Sequence, residues 1–529
     1  MCMILGEYII QYHHSIHIEA MGLFVVIVVY VLGLFACLLG IGLLVFVAAI
    51  LRTEQKFSDL PGPKRDSFLF GNIFSIFEAK KKLGQPIGLI IYTLSQDHGP
   101  VFWIRVFARG HVFASAPEIV KELLLNSRHI KPQSFYKNFQ YVFGARFMGN
   151  GLVSEINHEK WFHRRAIMNP AFRRKYLMGM MEKFNAESEK LCEHLRDKAD
   201  GRNEVEMLNE LNNVTLDVIA NVSFSMTTGA VGDPSCPFPA AVTLGLRGMQ
   251  TIIDKPWYSF DPRSESRKTR QETREAVNLI RETGRQQIEE RIAARQRGDH
   301  VPNDILTVIL DCANDLVGDK DFQMENMIDE FVTIFFAGQE TTSNLLAFTI
   351  QQLGRNPDVA KKVQAEVDEV LGQKPYVEYD DLAKLEYMMR VFKETLRLYP
   401  PVIGTTRVTA HPVIYKDMTI PAGVSVSVLS VVMSRMEEYF DDPLLFNPDR
   451  FKPQEDENLP RHFYAYIPFS VGQRSCIGQQ FAMIEARVIL GKLLQRFEFH
   501  LNQSQRLDML DELTLKPLDK CKNYLTLRA

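Results

Sequence analysis

Phe469-Ser470-Val471-Gly472-Gln473-Arg474-Ser475-Cys476-Ile477-Gly478 is the stretch that decides the fold. Its one cysteine sits between two glycines, with an arginine just before it and a phenylalanine at the start. A metal is ligated by a thiolate, not a thiol, so such a loop must hold Cys476 deprotonated. Gly472 and Gly478 let the backbone turn and come close to a flat ligand. Backbone N–H groups in that turn can aim at the sulfur and tune its electron donation. Arg474 offers a charge-assisted pair to a carboxylate of the ligand, and Phe469 can shield the sulfur. The helical run from Gln479 to Phe497 turns its positive N-terminal end toward the thiolate. These positions suit a flat ligand whose metal is held by Cys476.

Other motifs surround the loop. Glu394-Thr395-Leu396-Arg397 puts an acid and a base on one helical face, close enough to pair. Phe446-Asn447-Pro448-Asp449-Arg450-Phe451 lies between that pair and the cysteine. Trp161-Phe162-His163-Arg164-Arg165 spaces Trp161 and Arg165 one helical turn apart. Ala337-Gly338-Gln339-Glu340-Thr341-Thr342 falls in the middle of a long apolar helix, expected from about Asn326 to Gly354 and ended by Arg355-Asn356-Pro357. In this order the motifs resemble the cytochrome P450 family, whose signature reads Phe-x-x-Gly-x-Arg-x-Cys-x-Gly.

The resemblance implies a mainly α fold with small β-sheets, a haem–thiolate helical domain preceded by one N-terminal transmembrane helix. It implies that Cys476 is the axial iron ligand of haem b, and that Trp161, Arg165 and Arg407 join Arg474 at the haem propionates. Arg450 would complete a buried Arg397–Glu394–Arg450 core behind the haem. Glu340 is expected to bring protons from solvent through water, and Thr341 to hydrogen-bond bound dioxygen. Gly338 would weaken the helix and make room there. An acid–threonine pair favours monooxygenation over haem–thiolate isomerases and dehydratases, which need no proton relay. The chain carries no Gly-rich nucleotide fingerprint, so electrons must come from outside, from a membrane-bound NADPH–cytochrome P450 reductase. Arg164, Arg173, Arg174, Lys175 and Lys492 are expected to form its basic docking surface.

Within the family the cholesterol 24-hydroxylase branch looks similar. The stretches Arg397–Pro401, Phe446–Phe451, Ser475–Ala482, Thr514–Asp519, Asp304–Thr307 and Leu152–Glu155 carry that resemblance. It spans roughly Leu60 to Leu527, while Gln339, Thr342 and Ser343 depart from it. It implies substrate walls from Phe135, Tyr141, Val142 and Phe147 before the Trp161 helix, and from Ala337 and Thr341 above the haem. Val402, Gly404 and Thr405 follow the double proline, and Thr514 lies in the terminal loop. A sterol, with one hydroxyl, needs an apolar cavity with few polar handles. The alternatives are a fatty-acid or xenobiotic monooxygenase of the same fold, and a non-catalytic haem- or sterol-binding protein.

Composition sets the outer limits. The chain has 529 residues with 46% apolar side chains, enough to bury a large core around a cofactor. A net charge of -3 gives no sign of nucleic-acid binding. Seven cysteines without CxxC spacing argue against a disulfide framework or a zinc site. No charged residue occurs from Gly22 to Leu51. As a helix this run spans roughly 45 Å, more than the ~30 Å hydrocarbon core, and it far exceeds a signal-peptide h-region. The expected organisation is a short lumenal N-terminus (1–21), a transmembrane anchor (22–51), a linker with a Pro61-Gly62-Pro63 elbow (52–66) and a catalytic domain (67–529). Arg52, Lys56, Lys64 and Arg65 follow the run, which points to a single-pass protein of the endoplasmic reticulum membrane with its catalytic domain in the cytosol. The sequons at Asn213, Asn221 and Asn502 would then go unused. The charged stretch 264–298 reads as a pair of solvated surface helices.

Overall fold

With no charge or proline to break it, the apolar N-terminal run folds as helix α1 (Cys2–Lys56) in the computed structural model, which describes residues 2–84, 86–313, 320–453 and 462–528. Its Val26–Lys56 part is long and apolar enough to cross a membrane, and Leu32, Phe35, Leu38 and Leu44 stand exposed along it. The helix does not stop at Leu51. It continues to Lys56 and docks on the domain that follows. Thr53 Oγ1 donates to Ala108 O at 2.8 Å and Lys56 Nζ to Ala422 O at 2.9 Å. Glu54 pairs with Arg65 at 3.1 Å and with the buried Arg105 at 2.7 Å. The Pro61-Gly62-Pro63 elbow then lies against a strand. Trp103 N donates to Pro61 O at 3.0 Å, and a Cβ on Gly62 would fall 2.3 Å from Trp103 O, so only glycine allows this approach.

That strand is β1 (Val101–Val106). It pairs antiparallel with β2 (Arg109–Ala114) through a turn in which Phe107 has φ of 55°. The helices of the main body follow: α2 (Pro117–Leu125), α3 (Gln133–Gln140), α4 (His158–Met168), α5 (Met207–Phe224), α6 (Pro237–Asp254), α7 (Ser264–Arg297), α8 (Lys320–Arg355) and α9 (Glu386–Leu398). Strands β3 (Gly404–Val408) and β4 (Ser425–Leu429) close the first sheet in the order β1-β2-β4-β3, with β2 and β4 parallel. Helix α10 (Gln479–Arg496) follows the cysteine loop. A terminal hairpin, β5 (Met509–Glu512) and β6 (Thr514–Pro517), turns at Leu513, whose φ is 72°.

The charged stretch 264–298 is one helix, α7, not two. Ala276, Val277, Ile280 and Ile288 recur at helical spacing and are buried, and a Cβ on Gly284 would meet Phe331 at 2.6 Å. This seam packs α7 against α6 and α8 and removes any reason for a break. Helix α8 crosses the core with Phe331, Phe335, Leu346 and Phe348 fully buried. It ends where Pro357 opens the next helix, a position at which the missing N–H is no loss. Helix α5 packs on α8 so closely that a Cβ on Gly338 would lie 2.5 Å from Ile219 Cδ1. Gly338 therefore serves the packing of α5 on α8, and it stays half-exposed beside the exposed Ala337.

Candidate active site

The cysteine loop is fixed by its own backbone. Cys476 N donates to Phe469 O at 2.9 Å, and Ser475 N to Gly472 O at 3.1 Å. Gly472 has φ of 77°, and a Cβ there would sit 2.2 Å from Leu124 O, so this glycine serves the turn and the contact with α2. The backbone N–H groups of Gly478 and Gln479, at the start of α10, lie toward the Cys476 sulfur and favour its thiolate. Burial pushes the thiol up, while these two donors and Arg165 pull it down. Yet the Cys476 side chain is exposed. A group that is desolvated by surrounding protein and still exposed lines an internal space. Helix α8 shows the same feature. Ala337 is exposed and Thr341 half-exposed, while Phe336, Gln339, Glu340 and Thr342 beside them are buried.

Lys131, Arg407 and Arg474 line one cavity together with His158 and Ile130. Each reaches only neutral oxygens: Lys131 Nζ donates to Val153 O at 2.6 Å, Arg407 to Thr406 O at 3.0 Å and Arg474 to Glu155 O at 2.7 Å. Among the described residues no carboxylate pairs with any of the three. Burial, then the neighbouring Arg407 and Arg474, presses the Lys131 ammonium well below its ordinary value. Burial and Arg407 bring Arg474 down to about 10. Three desolvated cations around one cavity, without an anion, fit a ligand that brings its own carboxylates. With an inward-facing thiol nearby, this donor set fits the propionates and iron of a haem. Arg474 also stacks over Trp161, 3.9 Å from the ring centroid.

Arg165 donates to Ser475 O at 2.8 Å and to Asn169 Oδ1 at 2.8 Å, so it ties α4 to the cysteine loop. Arg164 is buried between Glu155 at 2.6 Å and Glu330 at 3.2 Å. Lys492 is buried against Glu189 at 2.9 Å and Pro375 O at 2.7 Å. Neither reaches the surface, so both leave the expected basic docking face, of which Arg173, Arg174 and Lys175 are exposed.

Behind the loop, Arg397 donates twice to Glu394, at 2.7 and 2.8 Å, and Arg450 reaches the same carboxylate at 3.2 Å. All three side chains are buried. Gly478 carries no demand from its φ, and a Cβ there would meet only the Cys476 sulfur, at 3.9 Å. Phe469 packs half-buried against the core.

The acid of α8 is not open to water. Glu340 is buried, with one oxygen on Lys516 Nζ at 3.1 Å and the other accepting from Thr514 Oγ1 at 3.0 Å. Thr341 Oγ1 donates to Ala337 O at 2.9 Å, which leaves its lone pairs free on the exposed side. Lys131 and Lys516 were missed by motif reading. Lys516 was findable: in a strand Thr514 and Lys516 fall on one face.

The expected substrate walls divide. Phe135, Tyr141 and Val402 are exposed, and Thr405 is half-exposed with its hydroxyl 2.9 Å from Arg407. Val142 and Phe147 are fully buried, Phe147 packing edge-on to Phe336 at 4.6 Å, and present no surface to a ligand. Thr514 is engaged with Glu340 and with Asn344, which donates to it at 3.1 Å. Gly404 allows close strand pairing: a Cβ there would lie 2.2 Å from Val428 O.

The cytochrome P450 family model matches residues 61–522. The chain belongs to the cytochrome P450 family. A Drosophila melanogaster relative, cytochrome P450 4d2, is 30% identical over 83% of this chain and 88% of its own. The cytokinin hydroxylase of Arabidopsis thaliana is 33% identical over 80% of each chain. The crystal structure of the cytochrome P450DA heme domain superposes with a TM-score of 0.76 at 23% identity, over 89% of this chain and 97% of that one. The mainly helical fold with small sheets is thus that of the family, and the protein is a monooxygenase. As a cytochrome P450 it uses a haem, dioxygen, a redox partner and a lipophilic substrate.

Proposed function

We propose that the chain is a sterol side-chain hydroxylase of the cholesterol 24-hydroxylase type, anchored in the endoplasmic reticulum membrane by α1 with its catalytic domain in the cytosol. Electrons come from NADPH through NADPH–cytochrome P450 reductase, and the cofactor is haem b. The observation that carries the catalytic reading is the inward-facing Cys476 thiol beside a cavity lined by Lys131, Arg407 and Arg474, none of which pairs with a carboxylate among the described residues. The branch motifs at Arg397–Pro401, Ser475–Ala482 and Thr514–Asp519 support the sterol. Gln339, which departs from that branch, is buried and donates to Asn212 O at 3.2 Å. It faces α5, so the departure does not bear on substrate choice.

Cys476 would hold the iron, while Lys131, Arg407 and Arg474 would hold the propionates. When bound, the haem supplies the centre at which dioxygen is split and one oxygen atom passes to the substrate. The overall reaction consumes two electrons and two protons, yielding an alcohol and water. The chain must therefore move protons to a buried place. Thr341 presents its hydroxyl to the inner space, and Glu340, the residue before it, can hold a proton there. The exposed Ala337 keeps the wall small where the substrate carbon must come near.

Two measurements test this. Enzyme reconstituted with the reductase, NADPH and labelled cholesterol should release a side-chain alcohol identified by mass spectrometry. A product from fatty acids and none from sterols would reassign the substrate. Thr341→Ala should lower alcohol formation by on the order of 10²-fold while NADPH consumption continues and hydrogen peroxide accumulates. Unchanged product per NADPH would remove Thr341 from the reaction.

A further inference from the structure

Four charged side chains run inward from the surface in alternating sign. Arg247 on α6 pairs with Glu512 at 3.2 Å, Glu512 with Lys516 at 2.8 Å, and Lys516 with Glu340 at 3.1 Å. Their side-chain exposures fall along the line, from 54% through 17% and 11% to 4%. Glu512 and Lys516 both lie on the terminal hairpin, which carries the line between α6 and α8. Thr514, on the same strand as Lys516, takes the other oxygen of Glu340 and accepts from Asn344 of α8. The Glu340 carboxylate is thus held at both oxygens by one hairpin, next to Thr341.

From this geometry we infer that Lys516 is a positioning residue for the acid Glu340: with Thr514 it fixes both carboxylate oxygens next to Thr341, and Glu512, tied outward to Arg247, fixes Lys516 in turn. The inference rests on the monooxygenase reading of the Glu340–Thr341 pair. Burial alone would lower the Lys516 ammonium, but Glu340 and Glu512 on either side hold it above its ordinary value, so it stays charged. Burial raises Glu340, against the pull of Lys516. Burial would also raise Glu512, but Lys516 and Arg247 hold it below its ordinary value. Of the two acids the inner one takes a proton the more readily, and the fixed charge of Lys516 opposes it.

A plain structural brace between hairpin and helix makes different predictions. In Lys516→Met the buried Glu340 loses its cation and should become protonated at neutral pH. A protonated-carboxyl stretch should then appear in the infrared spectrum and vanish in Lys516→Met with Glu340→Gln. Product per NADPH should fall by roughly 10²-fold and Lys516→Arg should restore it, because the charge and not the amine shape is required. Glu512→Gln, which leaves Lys516 charged and on Glu340, should lower product per NADPH far less than Lys516→Met and show no such infrared band. The inference is overturned if Lys516→Met couples like the wild type, or if Lys516→Arg couples no better than Lys516→Met. Should Lys516→Met not fold, Lys516→Gln, which keeps a donor without the charge, decides the matter by the same infrared and coupling readouts. Wild-type protein that makes no alcohol at all would instead defeat the monooxygenase reading, a separate result.

Discussion

Replacing Cys476 with alanine is expected to abolish oxygenation entirely while leaving the fold nearly as stable as before. The side chain is exposed to an internal space, so its removal opens no packed contact, and the stability change should stay under about 1 kcal/mol. The chemical loss is complete, because the sulfur aligned by the N–H groups of Gly478 and Gln479 has no substitute. Among the described residues Cys192, Cys236 and Cys521 are the other free thiols of the catalytic domain, and none belongs to the loop. The reduced, carbon-monoxide-treated variant should lack the red-shifted Soret band of a thiolate haem. Thermal unfolding of the apo forms should match. A variant that retained that band would remove Cys476 as the ligand, and with it the assignment of every neighbouring residue.

Much of this site was legible because its chemistry uses rare residues at fixed spacing. The Phe469–Gly478 loop can be read without a structure, since few other roles ask for that cysteine, arginine and pair of glycines together. The Glu394–Arg397 pair was legible by helical geometry. Helix α8 was legible by length and apolar content, its end to within one residue, while it starts at Lys320, a full turn and more before the expected Asn326. What failed did so for one physical reason: a charged residue in sequence does not say whether it meets water or a partner. Arg164 and Lys492 look like surface charge until Glu330 and Glu189 close on them from distant parts of the chain. Glu340 looks like a residue fed by water until Lys516, far along the sequence, covers it. Gly338 was read for the room it leaves, and its close contact with Ile219 of the facing helix was not visible in the sequence. The end of α1 was placed at the last apolar residue, but Thr53, Glu54 and Lys56 continue the helix because the sheet supplies their partners. Val142 and Phe147 illustrate the remaining difficulty, since an apolar side chain reads alike whether it lines a cavity or fills the core.

Arg397→Ala is expected to have the largest effect on stability. The Arg397 guanidinium has five N–H donors and all five are used: two on Glu394, and one each on Ser434 O at 2.5 Å, Pro443 O at 2.6 Å and Leu445 O at 3.1 Å. Glu394 has no exposed surface, so the substitution leaves a buried carboxylate with only Arg450 and the Asn447 N–H, and the carbonyls of Ser434 and Pro443 without this donor, while Leu445 O keeps Arg450 at 3.2 Å. Breaking such a set costs about 3–5 kcal/mol, a large share of the ~5–15 kcal/mol that holds a typical domain together. The damage would pass to the haem loop. Tyr466, three residues before Phe469, is tied by its hydroxyl to Lys393 O at 3.0 Å, the residue before Glu394. Loosening α9 therefore loosens the approach to Cys476, and the variant should be recovered without haem and with a lowered denaturant midpoint. Arg397→Lys should do little better, because an ammonium has three donors and cannot fork across Glu394. Arg450→Ala should cost less, since Glu394 then keeps its bidentate partner. Equal stability of Arg397→Ala and Arg450→Ala would show that the two arginines share the load, and normal haem content in Arg397→Ala would detach the network from the cofactor site altogether.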